Sequence, residues 1–282
     1  MAHLLTCEFT KTTVATLSEC HITSLRELEV GLTAARSAAN FIRRRFRHPV
    51  TRTDKGVLDF VTEVGIEAER RIARLLAIHL PEHAVFGEEG GWLQGDASNQ
   101  FVWLIDPLCG TANFSAGIPF FNVNLLLLED GHPMIGILAE PMTGDLLWAE
   151  RGRGAFVITK DGATIPIHSS DDAKIVALDP GFYLKFGEPS KMLRVLHSTI
   201  DAKRFLFRVL SSSLALGYTA RGSFVACVFE HNETLHVGAG AFICQEAGCV
   251  VSDLYGMPWT PESTGLIVAA NKEIHRDILG SI

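Results

Sequence analysis

No uninterrupted apolar run in this chain reaches the roughly 18 to 20 residues that a membrane-crossing helix needs. The longest candidate is broken by Asn122 and Asn124 and closed by Glu129-Asp130-Gly131, so no membrane partner is expected. Positive charge is in deficit: 25 Lys and Arg stand against 32 Asp and Glu, a formal net charge of −7 with a pI near 5.9. That is the wrong sign for a general nucleic-acid surface. The one basic run, Arg43-Arg44-Arg45 with Arg47, falls at the end of a predicted helix, where it suits the helix dipole and solubility better than a polyanion. The six cysteines (Cys7, Cys20, Cys109, Cys227, Cys244, Cys249) lack the paired spacing of a zinc ribbon or redox motif. Cys244 and Cys249 lie in apolar surroundings, where a reduced cysteine acts as a small hydrophobe, and a reducing cytoplasm is the expected location. No positive charge precedes Lys11 and no apolar stretch ends in a small-residue cleavage site, so no secretory signal is expected. Internal repeats and low-complexity segments are also missing.

What is present is enough apolar material for a large core: 282 residues, 47% of them hydrophobic, in one big domain or two intimately packed ones. Leu25, Leu28, Leu32, Ala35, Ala39, Ile42 and Phe46 recur at helical steps, and Thr23 or Ser24 is the expected cap, with Glu27 completing a capping box. A second helical pattern runs through Ile66, Ile72, Leu75 and Leu76, with Thr62 as its cap and a stop before Pro81. Apolar runs over 123–128, 134–139 and 146–149, separated by Asp130-Gly131 and Thr143-Gly144, predict an antiparallel meander. A second, α/β-type sheet is expected from Ile175 onward, with helices over 192–199 and 212–219 and a small-residue helix over 238–247. The expected organisation is an N-terminal arm (1–22), an N-terminal α+β half with the antiparallel sheet (23–160) and a C-terminal α/β half (161–282), packed as one compact unit.

The chemistry is expected near residues 103–114. The strand-like run from Phe101 to Ile105 meets Asp106 and Pro107, and proline removes a backbone donor and fixes φ. The strand should therefore end there and deliver Asp106 to a loop mouth. Gly110 and Thr111 follow, whose N–H groups and hydroxyl suit an anion-binding nest if Thr111 opens a helical turn. A carboxylate beside a phosphate cradle points to metal-assisted phosphoryl chemistry; a capped loop after a core strand is the plain alternative. The same choice holds for Glu88 and Glu89, which are either a solvated turn or part of a metal site.

Four blocks decide between these readings: Asp59-Phe60-Val61-Thr62, Phe86-Gly87-Glu88-Glu89-Gly90, the stretch 103–114, and 238–253. In order and spacing they resemble the inositol monophosphatase family, the magnesium-dependent, lithium-sensitive phosphatases. The resemblance runs from about Arg36 to Asn271 and includes Gly152-Arg153-Gly154-Ala155-Phe156 and Ile267-Val268-Ala269-Ala270-Asn271. It implies an α/β (α+β) fold, the layered α/β/α/β/α sandwich of the inositol monophosphatase and fructose-1,6-bisphosphatase type, and a homodimer. It also implies Mg2+ as cofactor and a small phosphorylated polyol or sugar as partner. Carried over by position, Glu88, Asp106, the Leu108 carbonyl and the position of His236 are the metal site. Cys109, Gly110 and Thr111 are the phosphate site, and Thr111 and Glu88 are the catalytic pair.

Three of those positions depart from the family. Gly65 stands where the family has an aspartate that helps orient the attacking water. Cys109 replaces the second aspartate of the Asp-Pro-x-Asp-Gly-Thr motif, and Leu235-His236 replaces Trp-Asp. Magnesium binds thiol and imidazole poorly, so the second ion loses its dedicated acids and a single ion is expected. Val225 and Phe229 also occupy positions where relatives carry acids, with Glu230 one residue away. Three functions remain open: a family pocket with a degenerate magnesium site and weak or lost hydrolysis; an active magnesium-dependent inositol or sugar phosphomonoesterase; or a site re-equipped for Zn2+ or iron by Asp106, Cys109 and His236.

Overall fold

A computed structural model describes residues 12–56, 59–179, 192, 194, 195, 197, 204–230 and 233–282. Helix α1 (Thr12–Arg45) begins well before the predicted cap at Thr23 or Ser24. Neither glycine nor proline intervenes to stop it there, and residues 1–11 of the predicted arm lie outside the described residues. Leu28, Ala35, Ala39 and Ile42 are buried as the periodicity requires, whereas Leu25 is exposed. Arg43, Arg44 and Arg45 occupy the last turn, where cations offset the C-terminal partial charge.

A hairpin of β1 (Arg52–Gly56) and β2 (Asp59–Thr62) leads into α2 (Glu63–His79), which Thr62 caps by accepting the Gly65 N–H at 3.1 Å. Then follow β3 (Ala84–Gly87), β4 (Gly91–Gln94), β5 (Phe101–Cys109), the short α3 (Thr111–Ser115), β6 (Asn122–Glu129), β7 (His132–Ala139), β8 (Leu146–Glu150), β9 (Gly154–Ile158) and β10 (Thr164–Ile167). Strands β3 to β10 form an eight-stranded sheet in the order β10-β9-β8-β7-β6-β5-β3-β4. The β5-to-β10 stretch is the expected antiparallel meander, and only β3 against β5 is parallel. Asp130 (φ 49°) and Gly131 (φ 78°) turn the β6–β7 hairpin with both angles positive, as a right-twisted two-residue turn demands.

The second sheet contains β11 (Ile175–Asp179), β12 (Leu206–Val209), β13 (Ala226–Phe229), β14 (Val250–Ser252) and β15 (Leu266–Ala269), ordered β12-β11-β13-β15-β14. Helices α4 (Leu214–Ala220), α5 (Thr234–Glu246) and α6 (Lys272–Leu279) accompany it. Of the helix predicted over 192–199, Met192, Arg194, Val195 and His197 are helical and the rest lie outside the described residues.

Alternation along the strands builds the layers. Trp103, Ile105, Leu125 and Leu127 bury one face of the large sheet under Ala35 and Ile42 of α1 and Ile72 and Leu76 of α2. Leu126, Leu138 and Leu147 point the other way, toward Leu216 of α4, Phe242 of α5 and Val268 of the small sheet. Val176, Val228 and Ile267 pack on Ile274 and Ile278 of α6. The result is α/β/α/β/α. The small residues of α5 let backbones close up: a Cβ on Gly136 would lie 2.9 Å from the Ala239 carbonyl oxygen. No helix among the described residues is long and apolar enough to cross a membrane.

Candidate functional site

Strand β5 does not end at Asp106. It continues through Pro107 to Cys109, because the register against β6 slips between the pairs Asp106↔Asn124 and Cys109↔Asn122. One extra residue on β5 makes a β-bulge, and a bulge is where a strand can hold a residue that offers no N–H to the ladder. Asp106 is thus fully buried inside the sheet rather than presented at a loop mouth. Its Oδ1 accepts the Leu108 N–H at 3.1 Å, which uses the bulge itself to orient the carboxylate.

Glu88 arrives by the parallel pairing of β3 with β5. Gly87 sits opposite Ile105, and the Glu88 N–H continues the ladder by donating to the Ile105 carbonyl at 3.0 Å. The loop that carries it is gripped from below by Glu69 of α2, a buried side chain whose Oε2 accepts the Glu89 N–H at 2.8 Å. Gly87 and Gly90 make that possible, since a Cβ on either would run into the Glu69 carboxylate. His236 stands in the first turn of α5, which begins at Thr234, ahead of the small-residue stretch predicted to form the helix. Its Nδ1 lies 2.9 Å from Asp106 Oδ2, and its backbone carbonyl accepts from Asn124 Nδ2 at 2.9 Å.

Glu88, Asp106 and His236 therefore converge, with one ligand-type atom from each lying within 4.8 Å of the others. The Leu108 carbonyl is close by in the bulge and accepts the Thr111 hydroxyl at 2.9 Å. Gly110, at φ 95°, takes the left-handed turn that joins β5 to α3. Burial lowers the pKa of His236, but the hydrogen bond and charge of Asp106 more than reverse this, and the net shift is upward.

Two predicted participants behave differently. Cys109 is buried and stands outside the converging set: its Sγ accepts from the Ser213 N–H at 3.3 Å and the Ser213 hydroxyl at 3.1 Å. Burial, with the Asp106 charge second, pushes its thiol well above the usual range, so it stays protonated. Gly65 caps into Thr62 and faces Glu89, whose Oε1 would lie 3.2 Å from a Cβ at position 65. A carboxylate from the neighbouring loop thus occupies the space beside the glycine. Val225 and Phe229 are core residues, and Glu230 is buried with its Oε2 accepting the Met192 N–H at 3.4 Å.

Sequence reasoning missed the polar layer beneath the site. Asn122 Nδ2 donates to Asn124 Oδ1 at 2.8 Å, Asn124 Nδ2 to Ser213 Oγ at 2.7 Å, and Ser212 Oγ to Asn122 Oδ1 at 2.7 Å. The signal was there: two asparagines two residues apart share one face of an otherwise apolar strand, and buried amides require partners.

The sequence profile of the Inositol monophosphatase family matches residues 25–282. The chain belongs to the inositol monophosphatase family. The inositol-1-monophosphatase of Caulobacter vibrioides is 32% identical over 250 residues, covering 87% of this chain and 96% of that protein. The Nus factor SuhB of Pseudomonas aeruginosa is 31% identical over 261 residues, covering 90% and 95%. Among solved structures, the extragenic suppressor protein suhB of Bartonella henselae superposes with a TM-score of 0.80 at 25% identity, over 90% of this chain and 97% of that one. The family is metal-dependent and acts on phosphorylated polyols and sugars. At the convergence point two carboxylates and an imidazole meet, a more mixed set of atoms than the all-oxygen cage that Mg2+ favours.

Proposed function

We propose that this chain is an inositol monophosphatase-like protein whose pocket takes a small phosphorylated polyol or sugar beside a single dication, with hydrolysis slow or lost. The observation that carries this reading is the His236 Nδ1 to Asp106 Oδ2 contact at 2.9 Å, an imidazole on the carboxylate that would otherwise bridge two ions. With Cys109 kept a thiol by burial and the Asp106 charge, the carboxylates that remain at the convergence point are Glu88 and Asp106, enough to balance one dication. Magnesium is the ion the family resemblance implies. When bound, such an ion withdraws charge from a phosphoryl oxygen. The chain's own part is to place Glu88 through the β3–β5 register, to fix the Leu108 carbonyl through the Thr111 hydroxyl, and to turn Gly110 and Thr111 toward a phosphate. Glu88 and Thr111 are the side chains that would act on the attacking water.

Loss of several charge-stabilising groups removes orders of magnitude in rate. Inorganic phosphate release from inositol 1-phosphate in excess Mg2+ is therefore expected to fall far below the roughly 1 to 10³ s⁻¹ of ordinary enzymes. The triple variant Gly65→Asp, Cys109→Asp, His236→Asp is expected to raise it. The inositol-1-monophosphatase relative supports the other reading, an active phosphomonoesterase. Wild-type turnover in the ordinary range that vanishes in Glu88→Gln would establish that reading and overturn ours. The relatives divide between that name and Nus factor SuhB, so a name alone does not carry activity over to this chain.

A further inference from the structure

We infer that the dication held at Glu88, Asp106 and His236 is a zinc-class transition-metal ion rather than magnesium, with the His236 imidazole as the ligand that sets the preference. The inference rests on the reading that this site takes one dication, and it names which kind.

Three features carry it. The first is spacing. Two ligand atoms bound to one ion at about 2.0 to 2.2 Å lie about 3 to 4 Å from each other. His236 Nδ1 and Asp106 Oδ2 are 2.9 Å apart in a direct hydrogen bond, so an ion would replace the shared proton and part the two slightly, and the Glu88 ligand atom lies within 4.8 Å of both. The second is donor chemistry. Magnesium demands oxygen and keeps much of its water, whereas imidazole is a preferred ligand of zinc and its transition-metal neighbours. Cys109 does not enter the set, because its sulfur is engaged by Ser213, so the donors are two oxygens and one nitrogen. Two carboxylates and a neutral imidazole balance one dication and leave a coordination position for a phosphate oxygen, the pattern of a catalytic rather than a structural site. The third is preorganisation. The Leu108 N–H holds Asp106 Oδ1 so that Oδ2 faces the ring, and Asn124 pins the backbone of His236. Outer partners of this kind orient metal ligands.

Nearly any such site prefers zinc to magnesium to some degree, so the discriminating quantity is how far one residue moves that preference. Titration calorimetry of the full chain with Zn2+ and with Mg2+ at neutral pH is expected to show one strong zinc site, lost in Glu88→Gln. In His236→Asp, zinc is expected to weaken at least 10-fold while magnesium tightens. X-ray absorption of the zinc-loaded unmutated chain gives a second readout that needs no variant to fold: one imidazole and no sulfur in the first shell. A zinc-to-magnesium ratio unchanged in His236→Asp, or a sulfur-containing shell drawn from the buried cysteines, overturns the inference. If magnesium binds in a manner that needs Glu88 while zinc does not, the inference fails and the proposed function stands. If neither ion binds in a manner that needs Glu88, the proposed function fails with it.

Discussion

Two histidines in this molecule each lie against a carboxylate, and their chemistry runs in opposite directions. His83 and its neighbour Glu27 of α1 are both 1% exposed, with His83 Nε2 3.6 Å from Glu27 Oε1. Burial dominates there: it pushes His83 down to about 4 and Glu27 upward, so both favour their neutral forms. His83 Nδ1 accepts the indole N–H of Trp103 at 3.2 Å, and its ring stacks on Phe101 at 4.7 Å. His236, 26% exposed, lies at 2.9 Å from Asp106, and the carboxylate outweighs desolvation. The lesson concerns distance and access. At 3.6 Å in a closed core the acid and the base both favour their neutral forms, whereas at 2.9 Å, with the imidazole partly exposed, the carboxylate favours the charged imidazole.

The largest effect that would sharpen this contrast is in acid stability. A histidine depressed to about 4 against about 6.5 when unfolded takes its proton only after the unfolded chain has done so. Its contribution is fully present above pH 6.5 and is lost as pH falls toward 4, a loss of about 3 kcal/mol. Glu27, raised by burial, takes up its proton in the fold before the unfolded chain does and so returns part of that loss. Urea unfolding between pH 7 and pH 4 should show this slope, flattened in His83→Gln. His236 has the reverse sign: raised in the fold, it stabilises below its unfolded value and loses that contribution as pH rises through its folded one. An acid slope untouched by His83→Gln would break the comparison.

Smaller, but specific to the site, is Gly65→Asp. The new side chain meets the Glu89 carboxylate, and two crowded acids should cost about 1 to 2 kcal/mol without divalent ions. Added dication should reduce that cost, as thermal unfolding with and without metal will show. An equal cost under both conditions would mean that Glu89 faces Gly65 for packing alone. Next, Asp106→Asn should lower the imidazole pKa of His236, since desolvation is then opposed only by the charges of Glu233 and Asp179; an NMR titration reads this directly. The smallest effect is the most pointed. Glu27→Gln should leave His83 near 4, because Glu27 is not among the charges that set it.

Much of this was legible in the sequence. The strand alternation, the Thr62 cap and the Asp130-Gly131 turn are local patterns, and local patterns survive folding. Glu88, Asp106 and His236 were placed together by motif, and they do meet. What stayed hidden depends on partners far along the chain. The orientation of Cys109 is set by Ser213, and the reason Gly65 faces no empty space is Glu89 from another loop. Pro107 was misleading for a related reason: it stops a regular strand, but a bulge lets the strand continue past it.

That bulge has a further effect on the two faces of β5. Trp103, Ile105 and Leu108 all point into the helical layer of α1 and α2, a spacing of two and then three. Asp106 and Cys109 consequently share the opposite side, across from Asn124 and Asn122. In an unbroken strand, positions three apart would look in opposite directions. Were the bulge ironed out with every residue kept, the thiol would swing into the oily layer and Ser213 would lose its partner. The strand is thus written in two phases, and the site lies at the join.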